Sequence, residues 1–216
     1  VADAAGRAPD PEVAAAVTAA GALCARLGHH VSEVAFDLDA EAFTEAFVLY
    51  WAAGAAQAAA QVRRIAPNAP LESLLEPLTL QLADHYARAP HDAFENAVAS
   101  LRAVQPRYDA MFAAQDVLLT PVLSAPPPPL GYLAPTLPFD VGFARVMDYA
   151  RYTPLANVAG APALSLPLGW SGAGLPIGAH FMAARGDERT LLELAYELEI
   201  ASPWAMRRPP IWAGLA

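Results

Sequence analysis

Lysine is absent. All thirteen basic residues of the 216-residue chain are arginine, against 22 acids, for a formal charge of −9. A guanidinium stays protonated at any working pH. No side-chain amine can therefore act here as a general base, form a Schiff base or anchor a pyridoxal cofactor. Cysteine is nearly absent as well: Cys24 alone excludes an internal disulfide and any multi-cysteine zinc site. The acids are scattered and no basic patch balances them, which excludes a nucleic-acid partner and an anionic membrane surface. No uncharged run is long enough to span a bilayer and no signal peptide is read. A protein with no membrane contact, placed in the cytoplasm, is expected.

What the chain has in excess is apolar residues, 56% against the usual 45–50% or so. Much of the excess is alanine. The remainder fits a surface that meets a missing partner or missing half. The first residue is Val1, and no apolar strand precedes the first predicted helix. An α/β layout calls for a strand there, which points to a cleaved, split or truncated product.

Periodicity divides the chain into a helical region, about 10–115, and a sheet-rich core, about 116–200. Residues 1–9 read as loose. Asp10-Pro11-Glu12 is a helix start: a capping carboxylate, a proline at the first helical position and an acid at the positive end. Val13, Val17, Ala20, Cys24 and Leu27 then share a face, which gives Cys24 a core role, and Gly28 ends the helix. His30 to Phe36 reads as a strand. A longer helix runs from about Ala40 to Ile65, with Phe43, Phe47, Tyr50, Trp51 and Gly54 at helical spacing. That stripe is read as facing the core; the alternative is the lining of an acyl or aryl pocket. Helices follow to about Arg88 and from Pro90 to about Gln115, the second kinked or split by Pro106. Asp116 to Thr120 reads as a buried strand. Seven of the 21 prolines fall between Pro121 and Pro138. The Pro126–Pro129 run is read as a stiff surface loop rather than a ligand for a proline-binding domain. Phe139 to Ala150 is amphipathic or turn-like. Asp187 caps a last helix, with Leu191, Leu194, Ala195 and Leu198 on one face, which Pro203 stops.

The stretch that organises the rest is Tyr152 to Met182. Two apolar runs, Ala163 to Pro167 and Leu175 to Met182, flank the glycine-rich turn Ser171-Gly-Ala-Gly174. They read as a hairpin or two neighbouring strands at the centre of a sheet, covered on both faces. The order T-P-x-x-N-x-x-G-x-P-A-x-S-x-P, then G-L-P-I-G, resembles the C-terminal part of the amidase signature family. Asp116-Val-Leu-Leu-Thr-Pro121 and Gly186-Asp-Glu-Arg-Thr-Leu-Leu192 resemble two further pieces of that family in the same order. The resemblance implies an α/β fold, a mixed sheet covered by helices, with residues 1–216 as the C-terminal part of the domain. It also implies hydrolysis of a carboxamide C–N bond by a Ser–Ser–Lys triad. That triad sits on a Gly/Ser-rich N-terminal stretch, and neither the stretch nor a lysine is present here. The resemblance thus implies a partner, an N-terminal half or subunit carrying Ser-Ser-Lys, together with a small amide substrate. It implies no metal and no organic cofactor. This chain would supply scaffold and pocket wall and would be inactive alone.

The remaining candidates are weighed residue by residue. None of the seven serines lies in G-x-S-x-G. Ser165 is read as a small strand residue, and His180 as a core or edge histidine. An enzyme built on that pair is the weakest alternative, since no acid has a spacing that orients the histidine. His29-His30 follows a helix C-terminus, where a cation is favoured. Gly169, Gly172, Gly174 and Gly178 lack the order of a phosphate loop and are read as turn glycines. The amide of Asn157 is expected to tie its loop to the next strand; with Gly160 and Pro162 it forms a structural motif. Phe143, Met147, Tyr152 and Thr153 are the candidate pocket wall. A second class of function is a non-catalytic ligand-binding or scaffold module that kept this fold.

Overall fold

The computed structural model describes residues 6–35 and 38–209. Helix α1, Pro11–Arg26, starts at Asp10, whose carboxylate accepts from the Glu12 amide at 2.8 Å. The expected apolar face is the one that packs: Val13, Val17, Ala20 and Cys24 are buried. Helix α2, Ala40–Ile65, is capped by Asp39, and α3 covers Pro77–Ala87. The segment around Pro106 forms two helices, α4 at Ala93–Arg102 and α5 at Val104–Met111. The break falls at Ala103. Pro106 then lies in the first turn of α5, where its missing N–H leaves no helical bond unmade.

Strand β1 is Val117–Pro121, helix α6 Phe139–Tyr149 and helix α7 Pro154–Ala159. Strands β2, Ala163–Trp170, and β3, Pro176–Ala183, form the expected hairpin. Helix α8, Glu188–Ala201, closes the order, its first turn capped by Asp187. The strands align β1-β3-β2, and both pairings are antiparallel. The α/β class holds. The parallel pair that would make the sheet mixed is not among the described residues.

Three expectations need correction. Residues 31–35 form no strand and are exposed, while Phe36 lies outside the described residues. The β-branched pattern there finds no neighbour to complete a ladder, and a strand without a ladder leaves its backbone to water. Strand β1 is half-buried rather than buried, with only Pro121 fully covered, because it lies at an edge with one neighbour. The hairpin is central only through β3; β2 is the other edge, and its Ala163 and Ser165 are exposed.

The main core lies on one face of the sheet. Ala179, Phe181 and Ala183 of β3 and Leu166 of β2 pack against Ala20 and Cys24 of α1 and Leu191 and Leu198 of α8. Gly169 admits α1 to this face: a Cβ built on it would lie 2.4 Å from the Ala16 Cβ. The opposite face is covered differently. Met182 packs with Tyr108 of α5 and Ala156 and Ala159 of α7, and the Tyr108 hydroxyl donates to the Ala183 carbonyl at 2.8 Å. Helices α2, α3 and α4 form separate clusters around Ala46, Ala97 and Leu101 and around Ala52, Ala55 and Leu82.

Candidate functional site

The period-two alternation of β3 sorts its side chains. Ile177, Ala179, Phe181 and Ala183 go to one face, and Gly178, His180 and Met182 to the other. On the second face the register sets Thr120, His180 and Ser165 in a row across all three strands. His180 is 5% exposed. Its Nδ1 lies 3.0 Å from Thr120 Oγ1, while the Thr120 hydroxyl donates to the Pro121 carbonyl at 3.0 Å. One hydroxyl proton cannot serve both contacts. The hydroxyl either donates to Nδ1 or accepts from an Nδ1–H, and the contact orients the ring in both tautomers. Burial pushes the imidazole down to about 4, so it stays neutral near pH 7.

Ser165 faces His180 across the pairing but lies over Gly178, where an added Cβ would be 2.6 Å from Ser165 Oγ. The histidine is oriented by a threonine and not by an acid. The serine–histidine pair therefore lacks the carboxylate that would hold an imidazolium during nucleophilic attack. Among the described residues no group of three or more His, Cys, Asp or Glu side chains is placed to hold a metal. No helix among them is long and apolar enough to cross a membrane. Cys24 is buried in the core, where burial raises its thiol above the ordinary value, the setting of an unreactive cysteine.

The expected pocket-wall residues follow one another along α6 and its link to α7. Phe143 joins an aromatic cluster, with its ring centroid 5.1 Å from Phe139 and 5.9 Å from Trp51 of α2. Met147 is half-buried one turn further on. Tyr152 is buried, with the Arg151 guanidinium 5.4 Å from its ring centroid. Thr153 donates from its hydroxyl to the Ala150 carbonyl at 3.4 Å. Two surface grooves lie elsewhere. One, of about 260 Å³, runs along Pro126–Pro129 beside Tyr132, Arg145 and Tyr149. The proline-rich loop is pinned there by Arg145, which donates to the Tyr132 carbonyl at 2.9 Å and stacks over its ring. The other, of about 480 Å³, is lined by Tyr50, Gly54, Gln57, Tyr86 and Phe94. The aromatic stripe of α2 thus divides. Phe43, Phe47 and Trp51 enter the core clusters, while Tyr50 is 53% exposed and stacks on Phe94.

Asn157, Gly160 and Pro162 lie in and just after α7. Gly160 caps α7 in the left-handed region at φ 65°, a conformation glycine adopts without strain. Pro162 accepts from the Ala183 amide at 3.2 Å, which ties the loop to β3. Asn157 does not make that tie. It lies exposed on α7, because the helical turn that satisfies its backbone points the side chain outward. Sequence reasoning missed Thr120 as the orienting group. The lone polar side chain in each of two otherwise apolar strands, Thr120 in β1 and His180 in β3, was the available signal.

A family model for Amidase matches residues 1–192. The protein named "Putative amidase AmiC" from Mycobacterium leprae is 40% identical over 195 residues, covering 90% of this chain and 41% of that protein. The solved 6-aminohexanoate cyclic dimer hydrolase superposes with a TM-score of 0.79 at 29% identity, over 94% of this chain and 44% of that one. A bacterial aryl acylamidase of the amidase signature family shares the fold, with a TM-score of 0.76 at 18% identity over 97% of this chain and 45% of its own. The chain spans less than half the length of these proteins. A model matched over most of the residues, with the hairpin and its capping helices in the order the motifs require, makes this chain a member of the Amidase family, the amidase-signature proteins.

Proposed function

We propose that this chain is the C-terminal portion or subunit of an amide hydrolase that cleaves carboxamide C–N bonds. It contributes scaffold and substrate wall, while the nucleophile comes from sequence outside it. The observation that carries this reading is the absence of lysine from a family member that spans 41% of a curated relative. A Ser–Ser–Lys relay needs an amine that becomes neutral to take the nucleophile's proton, and no arginine does so. Relatives named as amidase and as 6-aminohexanoate cyclic dimer hydrolase support an amide as the bond cleaved. Phe143, Met147, Tyr152 and Thr153 form the proposed wall for a small amide substrate. No cofactor enters the scheme. The single reduced cysteine fits a cytoplasmic setting.

The test is reconstitution. Alone, the 216-residue chain leaves amides intact. Mixed with a polypeptide carrying the Gly/Ser-rich half, it recovers amide hydrolysis, and replacing that half's lysine by alanine removes it. Turnover by the chain alone would overturn the reading. Tight binding of a small ligand with no turnover in the mixture would move it to the scaffold module.

A further inference from the structure

Of the thirteen arginines only Arg145 and Arg151 are not exposed. Arg151 has an acid: its guanidinium lies 2.6 Å from Asp148, which Arg7 also approaches at 3.4 Å. Arg145 has no acid among the described residues. Its Nη1 donates to the Tyr132 carbonyl at 2.9 Å, and its guanidinium lies 4.4 Å from the centroid of that ring. Stacking covers one face of the guanidinium and leaves the donors in its plane, so the Nε–Nη2 edge is unspent. A half-buried cation without a counter-ion has lost hydration that nothing in its own surroundings returns. Asp148 lines the same groove, but its carboxylate is engaged by Arg7 and Arg151.

The groove is already built. At one end the Ser124 amide donates to the Tyr149 carbonyl at 2.9 Å, and at the other Arg145 holds Tyr132, so the proline-rich loop is fastened to α6 twice. Between those ties Pro126–Pro129 present ring carbons and no N–H. Burial raises the Tyr149 hydroxyl above its ordinary value, so it stays protonated and uncharged. One cation with a free donor edge therefore stands at the end of flat, apolar walls.

We propose that this groove binds a small carboxylate with a flat apolar body. The carboxylate sits on the Nε–Nη2 edge of Arg145, and the body lies along Pro126–Pro129 and Tyr149. The site goes beyond the proposed function and stands without it. A two-donor edge matches the two oxygens of a carboxylate. Phosphate sites instead gather backbone N–H groups or several cations, and four prolines supply neither. At about 260 Å³ the groove falls below the range of about 300–1,000 Å³ for drug-sized ligands, so the body is of the order of a single ring.

The test titrates sodium benzoate into the intact chain carrying ¹⁵N-arginine, with benzamide as its uncharged counterpart. Benzoate should bind saturably and move the Arg145 Nε–H resonance, which is assigned by its loss in Arg145→Lys. Benzamide should bind at least about tenfold more weakly, and Arg145→Gln should weaken benzoate by a similar factor, the size of one charge-assisted contact. Arg145→Lys keeps the charge without the fork and should fall between. Arg189→Gln, at an exposed arginine of α8, should bind like the parent. If Arg145→Gln does not fold by circular dichroism, the resonance of the parent and its benzoate-to-benzamide ratio decide. No saturable benzoate binding, equal affinity for the two probes, or Arg145→Gln binding like the parent overturns the site. The carboxylate has two possible sources, a free acid or the far end of an amide substrate. In the reconstituted mixture, Arg145→Gln raises the KM of a carboxylate-bearing amide but not of its uncharged analogue in the second case, and of neither in the first. A mixture without hydrolysis overturns the proposed function and leaves this site to the binding data.

Discussion

The two faces of β3 differ by one residue in phase and by everything in chemistry. On one face Ala179, Phe181 and Ala183 are sealed by α1 and α8 into a continuous apolar core, and Ile177 is buried at its end. On the other, Gly178, His180 and Met182 meet an apolar cluster at one end and a polar row at the other. The first face is closed by this chain alone. The second sets the Thr120–His180 contact beside the exposed residues Ser165 and Ala163. One face is thus a sealed apolar core, and the other mixes apolar cover with polar contacts.

The sharpest way to break this contrast is to damage each face in turn. Phe181→Ala empties the sealed face at a side chain that is 1% exposed. It should cost about 3–5 kcal/mol in denaturant-induced unfolding, the range for a large buried aromatic. A loss below about 1 kcal/mol would mean that the sealed face is not the core.

The polar face should be read by pH. An unfolded histidine titrates near 6.5, whereas His180 is pushed down to about 4 by burial. Between those values the unfolded chain binds a proton that the folded chain does not. Stability from this group is therefore complete above pH 6.5 and is lost as pH falls toward 4. The change is roughly 3 kcal/mol. Unfolding measured across that window should show the slope in the parent chain and lose it in His180→Gln.

Glycine substitutions compare the two faces directly. Gly169→Ala puts a methyl 2.4 Å from the Ala16 Cβ and 3.4 Å from its Cα, so helix α1 must move. A loss of about 2 kcal/mol is expected, as for overpacking. Gly178→Ala meets only the ends of side chains, Ser165 Oγ at 2.6 Å and Val122 Cγ2 at 2.7 Å, which can rotate away. Its loss should be smaller, near 1 kcal/mol, and equal losses would erase the distinction. The smallest effect lies at the edge of the apolar face. Asp187→Ala removes the cap that accepts from the Thr190 amide and should lower the melting temperature by the equivalent of about 0.5–1 kcal/mol.

Much of the fold was legible because it is written in local chemistry. The Asp10-Pro11 and Asp187 starts are caps whose mechanism needs no distant residue, and both helices begin there. The glycine-rich turn between two apolar runs identifies the hairpin for the same reason. The segment 31–35 was misread because β-branched spacing states a preference, while a strand also needs a neighbour. Asn157 was misread because an amide among apolar residues looks buried until the helix phase of α7 is known, and that phase turns it outward. Thr120 was overlooked because its importance lies in a partner sixty residues away.

By itself the sequence determined the membership and the deficit. The ordered motifs from Asp116 to Leu192 belong to one family, and a chain with no lysine has no amine to relay a proton. Both follow from covalent identity, which no folding alters. Only the tertiary structure decided which histidine nitrogen is engaged, that a threonine and not an acid orients it, and that Ser165 stands beside it without binding it. Those facts depend on strand register. A shift of one residue would exchange the two faces of β3 and send His180 into the core and Phe181 into the row.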